Sequence, residues 1–398
     1  MQGYQKLDLA DVSENKEPVR VDFSSEYSEN FPKLLKALGV SLVVTSYHSH
    51  SVMLIRSKDG KLNCGVKKFI RPMGVTVSKD RLTISTAYRV LDFKASPQSY
   101  ESVQQGSLDD LTAMSKKLQD KERDNDAFLT MRKEQIAAIK QSDVLYTERA
   151  SLSTGMINTH DIAWGDEGLW VVNTSFSCLA TLSPEYGFKA RWKPPFISEL
   201  TPDDKCHLNG MAMLNGAPRY VTTFNMTDKK DSWREELNGT LIDVKTNEFL
   251  LTGLCAPHSP KCHDGAVYLC DSGRGQIIRF DPLENTKHVI CTLPGFTRGL
   301  IVFGDLIIVG TSRIRRSDAV QKYPLAEQIQ PDETQCGIWV LNKHNGEIIS
   351  NIIFSGDVEQ LYDIAVLPES TYPELMSADD AVSAHLFEFS KELVNEKI

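Results

Sequence analysis

The chain has 398 residues, 41% of them apolar and 24% charged, with a net charge of −9 at neutral pH. This composition belongs to a globular protein and not to a disordered one, and the length exceeds one compact core unless the architecture is a repeat array or a closed sheet. The acidic balance argues against nucleic acid or an anionic membrane as partner, because phosphate contacts need clustered Lys and Arg.

The opening residues, MQGYQKLDLADVSENKEPVR, carry no apolar core of signal-peptide length, and no run in the chain approaches a membrane span. The eight cysteines are scattered singly in apolar runs such as VYLCDS and FSCLAT. That pattern predicts buried free thiols and a cytoplasmic protein, not a disulfide frame or a zinc cage.

Residues 1–38 read as an N-terminal extension. From residue 39 the chain repeats one layout: a short strand, a tight turn, a strongly apolar strand and a small-polar loop. The units are MGVTVSKDRLTISTAYR (73–89), HDIAWGDEGLWVVNTSFS (160–177), NGMAMLNGAPRYVTTFNMTD (209–228), HSPKCHDGAVYLCDSGRG (258–275) and RGLIVFGDLIIVGTSRIR (298–315). A sixth, YDIAVLPES (362–370), lacks its second strand, and the stretch at 41–66 supplies the missing strands from the other end of the chain. Third and fourth strands such as QIIRFDP and HVICTLP complete each unit. Six like units with split ends predict an all-β, six-bladed β-propeller over 39–370, closed by N- and C-terminal segments sharing one blade. Residues 371–398 read as a partly helical tail.

One segment departs from the repeat. Residues 100–143 are polar with helical spacing, in two stripes: Leu108, Leu111, Met114, Leu118 and then Phe128, Met131, Ile136, Ile139. They predict a helical hairpin insertion. It reads as a decoration packed on the propeller, as a lid, or as the contact of a homo-oligomer.

Aligning the six inner strands places Met73, His160, Asn209, His258, Arg298 and Tyr362 at one level around the axis. Gly74, Asp161, Gly210, Ser259, Gly299 and Asp363 occupy the next. Equivalent strand starts converge in a propeller, so these side chains predict a polar pocket. His207 stands two residues ahead of Asn209 and is placed at the rim. The loops after the second strands add His48, His50, Tyr88, Arg89, Asp228, Asp271, Arg274, Arg313 and Arg315. His160, His207 and His258 are the candidate ligands for a divalent transition metal, since imidazole suits such ions. His160 and His258, with Asp161 beside the first, are the candidate acid–base groups. Asn209, Arg298, Arg313, Arg274, Tyr362 and His48 are the candidate substrate contacts, and the arginines point to a small anionic molecule.

The runs HDIAWGDEGLWVVNTSFSCLATLSPEYGFKARWKPPFISELTPDDKCHLNGMAM and GLCAPHSPKCHDGAVYLCDSGRGQIIRFDP, with LPGFTRGL and VGTSRIR, resemble an uncharacterised, mostly bacterial family of conserved hypothetical proteins. That family carries a domain-of-unknown-function label. The resemblance covers about residues 40–370 and implies a propeller-like fold, with His160, Asp161, His207, Asn209, His258, Ser259 and Arg298 at matching motif positions. A looser likeness is to gluconolactonase-type and NHL-type six-bladed propellers. The former bind an axial divalent metal through carboxylate and amide ligands; here histidines stand for much of that set, which implies a softer metal than calcium.

The expected function is a small-molecule enzyme acting on an anionic substrate at the axis, a metal-assisted hydrolase, lyase or isomerase. The alternative is a non-catalytic propeller that binds a ligand or protein partner.

Overall fold

The hairpin chemistry written into the repeats sets the sheets. Asn215 (φ 51°) and Gly216 (φ 74°) close the turn between strands Leu208–Leu214 and Ala217–Thr223. Asp264 (φ 47°) and Gly265 (φ 75°) do the same between Pro257–His263 and Ala266–Asp271. Two successive left-handed residues form the hairpin turn whose twist matches that of its strands, and Asn-Gly and Asp-Gly adopt it at least cost.

The computed structural model describes residues 21–108, 125–314 and 323–390. Its strands form six sheets arranged around one axis. Blade 1 has Ile364–Pro368 innermost, followed by Val40–Ser46, Ser51–Lys58 and Lys61–Lys68. Blade 2 runs Val75–Ser78, Arg81–Ser85, Arg89–Ala95 and Val144–Ser153 from the axis outward. Blade 3 runs Thr159–Gly165, Gly168–Asn173, Cys178–Ser183 and Gly187–Trp192. Blade 4 continues from its hairpin to Gly239–Asp243 and Phe249–Leu254, and blade 5 to Gln276–Asp281 and Thr286–Thr292. Blade 6 runs Phe296–Phe303, Leu306–Ser312, Gly337–Asn342 and Ile348–Phe354. Each inner strand packs beside the next, and the inner strand of blade 1 touches those of both blades 2 and 6, so the ring is closed.

Closure is stronger than the shared blade alone. Val43 pairs with Ala365 and Val44 with Ile364 inside blade 1. In addition, the short strand Ser25–Tyr27 adds a fifth, antiparallel edge to blade 6, and Pro373–Met376 adds a fifth, parallel edge to blade 2. The two chain ends thus latch the blades on either side of the seam. Glu374 fixes the second latch, with Oε2 3.0 Å from Arg56 Nη1 and Oε1 3.0 Å from Lys67 Nζ.

The cores lie between blades, as alternating strands require. Leu42, Val44, Met53 and Ile55 of blade 1 face Ile308, Ile338, Val340 and Ile352 of blade 6. Helix α1 (Phe31–Leu38) inserts Phe31 and Leu35 into the same cluster and stops at Gly39, whose left-handed backbone (φ 66°) returns its N–H to the Lys36 carbonyl.

Between the third and fourth strands of blade 2 lie α2 (Pro97–Gln104) and α3 (Asn125–Gln141). Leu108, Ile136 and Ile139 pack with Val103, Leu145, Met376, Val382 and Leu386. Phe128 and Met131, placed by the sequence on the same stripe as Ile136 and Ile139, are instead exposed, and Arg132 is buried between them and the core. Leu111, Met114 and Leu118 of the first stripe lie outside the described residues.

The small-polar loops after the second strands sew neighbouring blades together. Hydroxyls donate across the gap from Ser85 to the Thr159 carbonyl (3.2 Å), from Thr174 to Leu208 (2.6 Å), from Ser272 to Thr297 (2.5 Å) and from Ser312 to Leu361 (3.0 Å). Each accepting carbonyl immediately precedes the strand-start residue of the next blade, so these bonds fix the ring that forms the site.

Candidate functional site

At the strand-start end of the axis is a cavity of about 330 Å³. Met73, His160, His258, Arg298 and Tyr362 line it at the level the repeat alignment indicates. The residues two positions upstream in each repeat, Arg71, Asn158, His207, Phe296 and Gln360, line it as well. Four of the six residues at that upstream level have left-handed backbones: Arg71 (φ 48°), Asn158 (49°), His207 (48°) and Ala256 (49°). Outside glycine such angles are strained and are held by surrounding structure, and they concentrate at functional sites. Here they turn the chain sharply before each inner strand and aim the upstream carbonyls at the strand-start side chains.

His160 and His258 use that turn identically. His160 Nδ1 lies 2.8 Å from the Asn158 carbonyl and 2.8 Å from Thr174 Oγ1. His258 Nδ1 lies 2.9 Å from the Ala256 carbonyl and 2.9 Å from Ser272 Oγ. A carbonyl only accepts, so in both rings Nδ1 carries the proton and Nε2 of the neutral ring is a lone-pair acceptor. Burial, then the neighbouring His207, pushes the His160 imidazole down to about 3. Burial and Arg298 hold His258 well below its ordinary range. Both rings are neutral bases across the physiological range.

His207 is held differently. Its Nδ1 donates to Asp204 Oδ2 at 2.8 Å, and Trp233 Nε1 donates to the same oxygen at 3.0 Å. Burial, the largest single influence, raises the Asp204 carboxyl, but His207, His160 and Arg234 together outweigh it, so the group stays below its usual range and remains ionised. The His207 ring lies 4.7 Å from that of His160, 4.1 Å from Trp233 and 4.4 Å from Phe224, centroid to centroid. Asp204 therefore orients His207 toward His160 as a carboxylate orients a catalytic imidazole.

Arg298 lies over Phe296 (4.9 Å to the centroid) and Tyr362 (5.5 Å). It makes no ion pair or hydrogen bond among the described residues, and its Nε is buried without a partner. Arg71 has no carboxylate partner among the described residues either, and Arg313 meets Glu359 only at 3.8 Å. Among the described residues, therefore, the cavity presents guanidinium groups with no close carboxylate partner.

One residue further along each inner strand the picture reverses. Asp161 Oδ2 accepts from the Met211 N–H of the next blade (2.9 Å), Ser259 Oγ from Gly299 N–H (2.9 Å) and Asp363 Oδ2 from Val75 N–H (3.0 Å). The intervening positions are Gly74, Gly210 and Gly299. A Cβ on Gly210 would stand 2.3 Å from Pro260 Cδ, so only glycine admits the neighbouring blade there. Lys261 Nζ stands 3.6 Å from Asp161. Burial raises both carboxyls while Lys261 opposes it, leaving Asp363 at about 7.

These placements correct several expectations. Asp161 points down the axis into its clamp, because its acceptor lone pairs are drawn to the next blade's backbone, and it forms no hydrogen bond with His160. Asn209 borders only a small chamber beneath the cavity, shared with Asp161, Ser259 and Asp363, not the cavity itself. Arg274 leaves the site: its Nη1 donates to Asp271 Oδ2 (2.7 Å) and to the Gly253 carbonyl (3.2 Å), because the loop after its strand curls back over blade 5. His48 is exposed in the turn after Val40–Ser46 and does not line the cavity. Arg313, Arg298 and Tyr362 do line it. Arg315 lies outside the described residues. Among the described residues no group of three or more His, Cys, Asp and Glu is arranged to hold a metal ion. Sequence reasoning missed Arg71, Asp204, Phe224 and Phe296. Reading the repeats two residues further upstream would have found two of these, Arg71 and Phe296.

Solved structures of similar shape include the crystal structure of the Nidogen/Laminin complex, 8% identical with a TM-score of 0.49, covering 83% of this chain and 99% of that one. Another is the computationally designed Ika8 protein, 9% identical with a TM-score of 0.32, covering 78% of this chain and 72% of that one. Among curated proteins none matches. One family profile, described as "Domain of unknown function (DUF4915)", matches residues 29–119 and 113–376. With its six blades and its motifs spanned by that match, the chain is a member of the DUF4915 family.

Proposed function

We propose that the axial cavity binds a small anionic molecule and that the protein is an enzyme transforming it by proton transfer, in the manner of a hydrolase, lyase or isomerase. The observation that carries this reading is Arg298, a guanidinium in the cavity wall with no anionic partner among the described residues. An unpaired charge next to buried rings costs stability unless function retains it. Beside it stand the groups a proton transfer needs. The Nε2 atoms of His160 and His258 are bases, and His207, oriented by Asp204, stands with its ring 4.7 Å from that of His160.

A transition metal on His160, His207 and His258 was the sequence expectation, and Nδ1 of each ring is held by a carbonyl or carboxylate oxygen, which leaves Nε2 as the atom that would meet either a metal or a substrate proton. The proton-transfer reading uses the histidines as the structure disposes them. The eight cysteines are all free thiols, which is consistent with a reducing, cytoplasmic setting. No described helix is long and apolar enough to cross a membrane.

The test is calorimetric titration of the full chain with a panel of small carboxylates and phosphate esters, repeated on Arg298→Gln. Binding by the wild type that is lost in the variant is the expected result. A protein that binds no member of the panel, or a variant that binds as well as the wild type, overturns the reading.

A further inference from the structure

The cavity's unanswered groups specify their ligand. Those of one kind are cationic donors: Arg71 and Arg298, without ion-pair partners among the described residues, and Arg313, whose nearest carboxylate oxygen is 3.8 Å away. The one carboxylate that lines the cavity among the described residues, Asp204, is already engaged by His207 Nδ1 and Trp233 Nε1. Arg234 lines the cavity too, 3.8 Å from Asp231, and four guanidinium groups against one committed lining carboxylate call for a ligand bearing more than a single negative charge. A phosphate monoester, with close to two charges at neutral pH and three acceptor oxygens, satisfies forked guanidinium donors better than one carboxylate does.

Those of the other kind are acceptors. The Asn158 and Ala256 carbonyls fix the proton of His160 and His258 on Nδ1. Each Nε2 lone pair therefore needs a donor, and a bare phosphate at neutral pH offers few. Alcohol hydroxyls supply such donors. The aromatic walls argue against a nucleobase in the same place. Trp233 is already faced by His207 (4.1 Å) and Arg234 (3.8 Å), and Phe296 by Arg298 (4.9 Å) and, edge-on, by His258 (5.4 Å). The cavity volume of about 330 Å³ lies at the small end of ligand sites.

We infer that the ligand is a small phosphorylated polyol, its phosphate held by Arg71, Arg298 and Arg313 and two of its hydroxyls donating to the Nε2 atoms of His160 and His258. This inference rests on the anion-binding reading above and narrows it. It predicts discrimination of two independent kinds: against the same molecule without phosphate, and against phosphate without hydroxyls.

The experiment is calorimetry on the full chain with three polyol phosphates (glycerol 3-phosphate, ribose 5-phosphate and glucose 6-phosphate), the matching free polyols, methyl phosphate, and small mono- and dicarboxylates. The expected result is that at least one polyol phosphate binds tenfold or more tighter than methyl phosphate and than its own free polyol. In His160→Phe, which keeps a ring but removes the acceptor, that advantage over methyl phosphate falls about tenfold. The comparison among probes needs no variant, so a variant that fails to fold leaves the inference exposed to refutation. Equal binding of methyl phosphate and every polyol phosphate overturns the inference and leaves the anion-binding reading standing. So does binding of carboxylates with none of the phosphates. A protein that binds no anion at all overturns both.

Discussion

Two rings of side chains circle the axis one residue apart, and they have opposite characters. In the lower ring every polar group is spoken for: Asp161, Ser259 and Asp363 each accept a backbone N–H from the next blade, and Lys261 stands by Asp161. In the upper ring Arg298 has no anionic partner among the described residues, and two histidines in the cavity wall have Nε2 atoms without a hydrogen bond there. Residue type does not separate them, since both rings are polar and both are buried or half-buried. Pairing does. A buried polar group that the fold satisfies is part of the architecture, and one that the fold leaves unsatisfied is waiting for something else.

That contrast breaks most visibly if its lower member is removed. Asp161→Ala deprives both Met211 N–H and Lys261 of their acceptor. The expected loss is about 3 kcal/mol of unfolding free energy, typical of a disrupted buried pair with some allowance for the partial exposure of Lys261. Urea unfolding followed by circular dichroism measures it, and a loss below about 1 kcal/mol would mean the clamp is not holding the blades. The upper ring should respond in the opposite sense. Arg298→Gln is expected to leave the urea midpoint almost unmoved, or to raise it slightly, while weakening anion binding about 100-fold, the loss of roughly two charge-assisted hydrogen bonds.

Protonation sharpens the comparison further. His160 is held neutral in the fold, with its ring at about 3 against 6.5 for the unfolded residue. Below pH 6.5 the unfolded chain therefore takes up a proton that the folded one refuses. The stability this histidine contributes is present above pH 6.5 and is lost as the pH falls from there toward about 3. Relative to His160→Gln, the wild type is expected to lose about 1.4 kcal/mol per pH unit between pH 6 and 4.5. Taking the difference between the two proteins cancels the contribution of Asp363, whose raised carboxyl works in the opposite direction over the same range. A parallel pair of stability–pH curves would show that His160 titrates as it does in water.

How much of this the sequence could reveal follows from what a repeat encodes. The spacing of the six units located the strand starts, so His160, His258, Arg298 and Tyr362 could be brought to one level before any coordinates were seen. The seam in blade 1 was legible for the same reason: one unit lacks a strand that the other end of the chain supplies. Pairing across blades was not legible. That Asp161 turns to the Met211 N–H depends on Gly210 letting the next strand approach, and nothing in either residue's own segment says so. The left-handed turns at Arg71 and Ala256 were hidden because those residue types avoid positive φ unless tertiary structure imposes it. The latches were hidden too, since SEY and PELM are too short to show an alternation. In α3 the spacing put Phe128 and Met131 on the face of Ile136 and Ile139, and Phe128 does share the face of Ile139, but it lies about three turns nearer the helix start, outside the cluster that buries Ile136 and Ile139.

Arg274 gives the smallest effect and the cleanest check of the rule that pairing, not residue type, marks the site. Its sequence position, in a loop at the same end as Arg313, makes it look as much a ligand contact as Arg298. In the structure its Nη1 is committed to Asp271 Oδ2 at 2.7 Å and to the Gly253 carbonyl, and Asp271 in turn accepts the Cys255 N–H at 2.6 Å. Arg274→Ala removes a partner from a buried carboxylate that keeps a second one, at the cost of a side chain that is about one-third exposed (35%). The expected penalty is therefore about 1 kcal/mol, between a surface pair and a buried one. Anion affinity should be unchanged within error in the same calorimetric titration that registers Arg298→Gln. If Arg274→Ala weakens the ligand as Arg298→Gln does, then a fully paired arginine belongs to the site after all, and the distinction between the two rings loses its power to locate function.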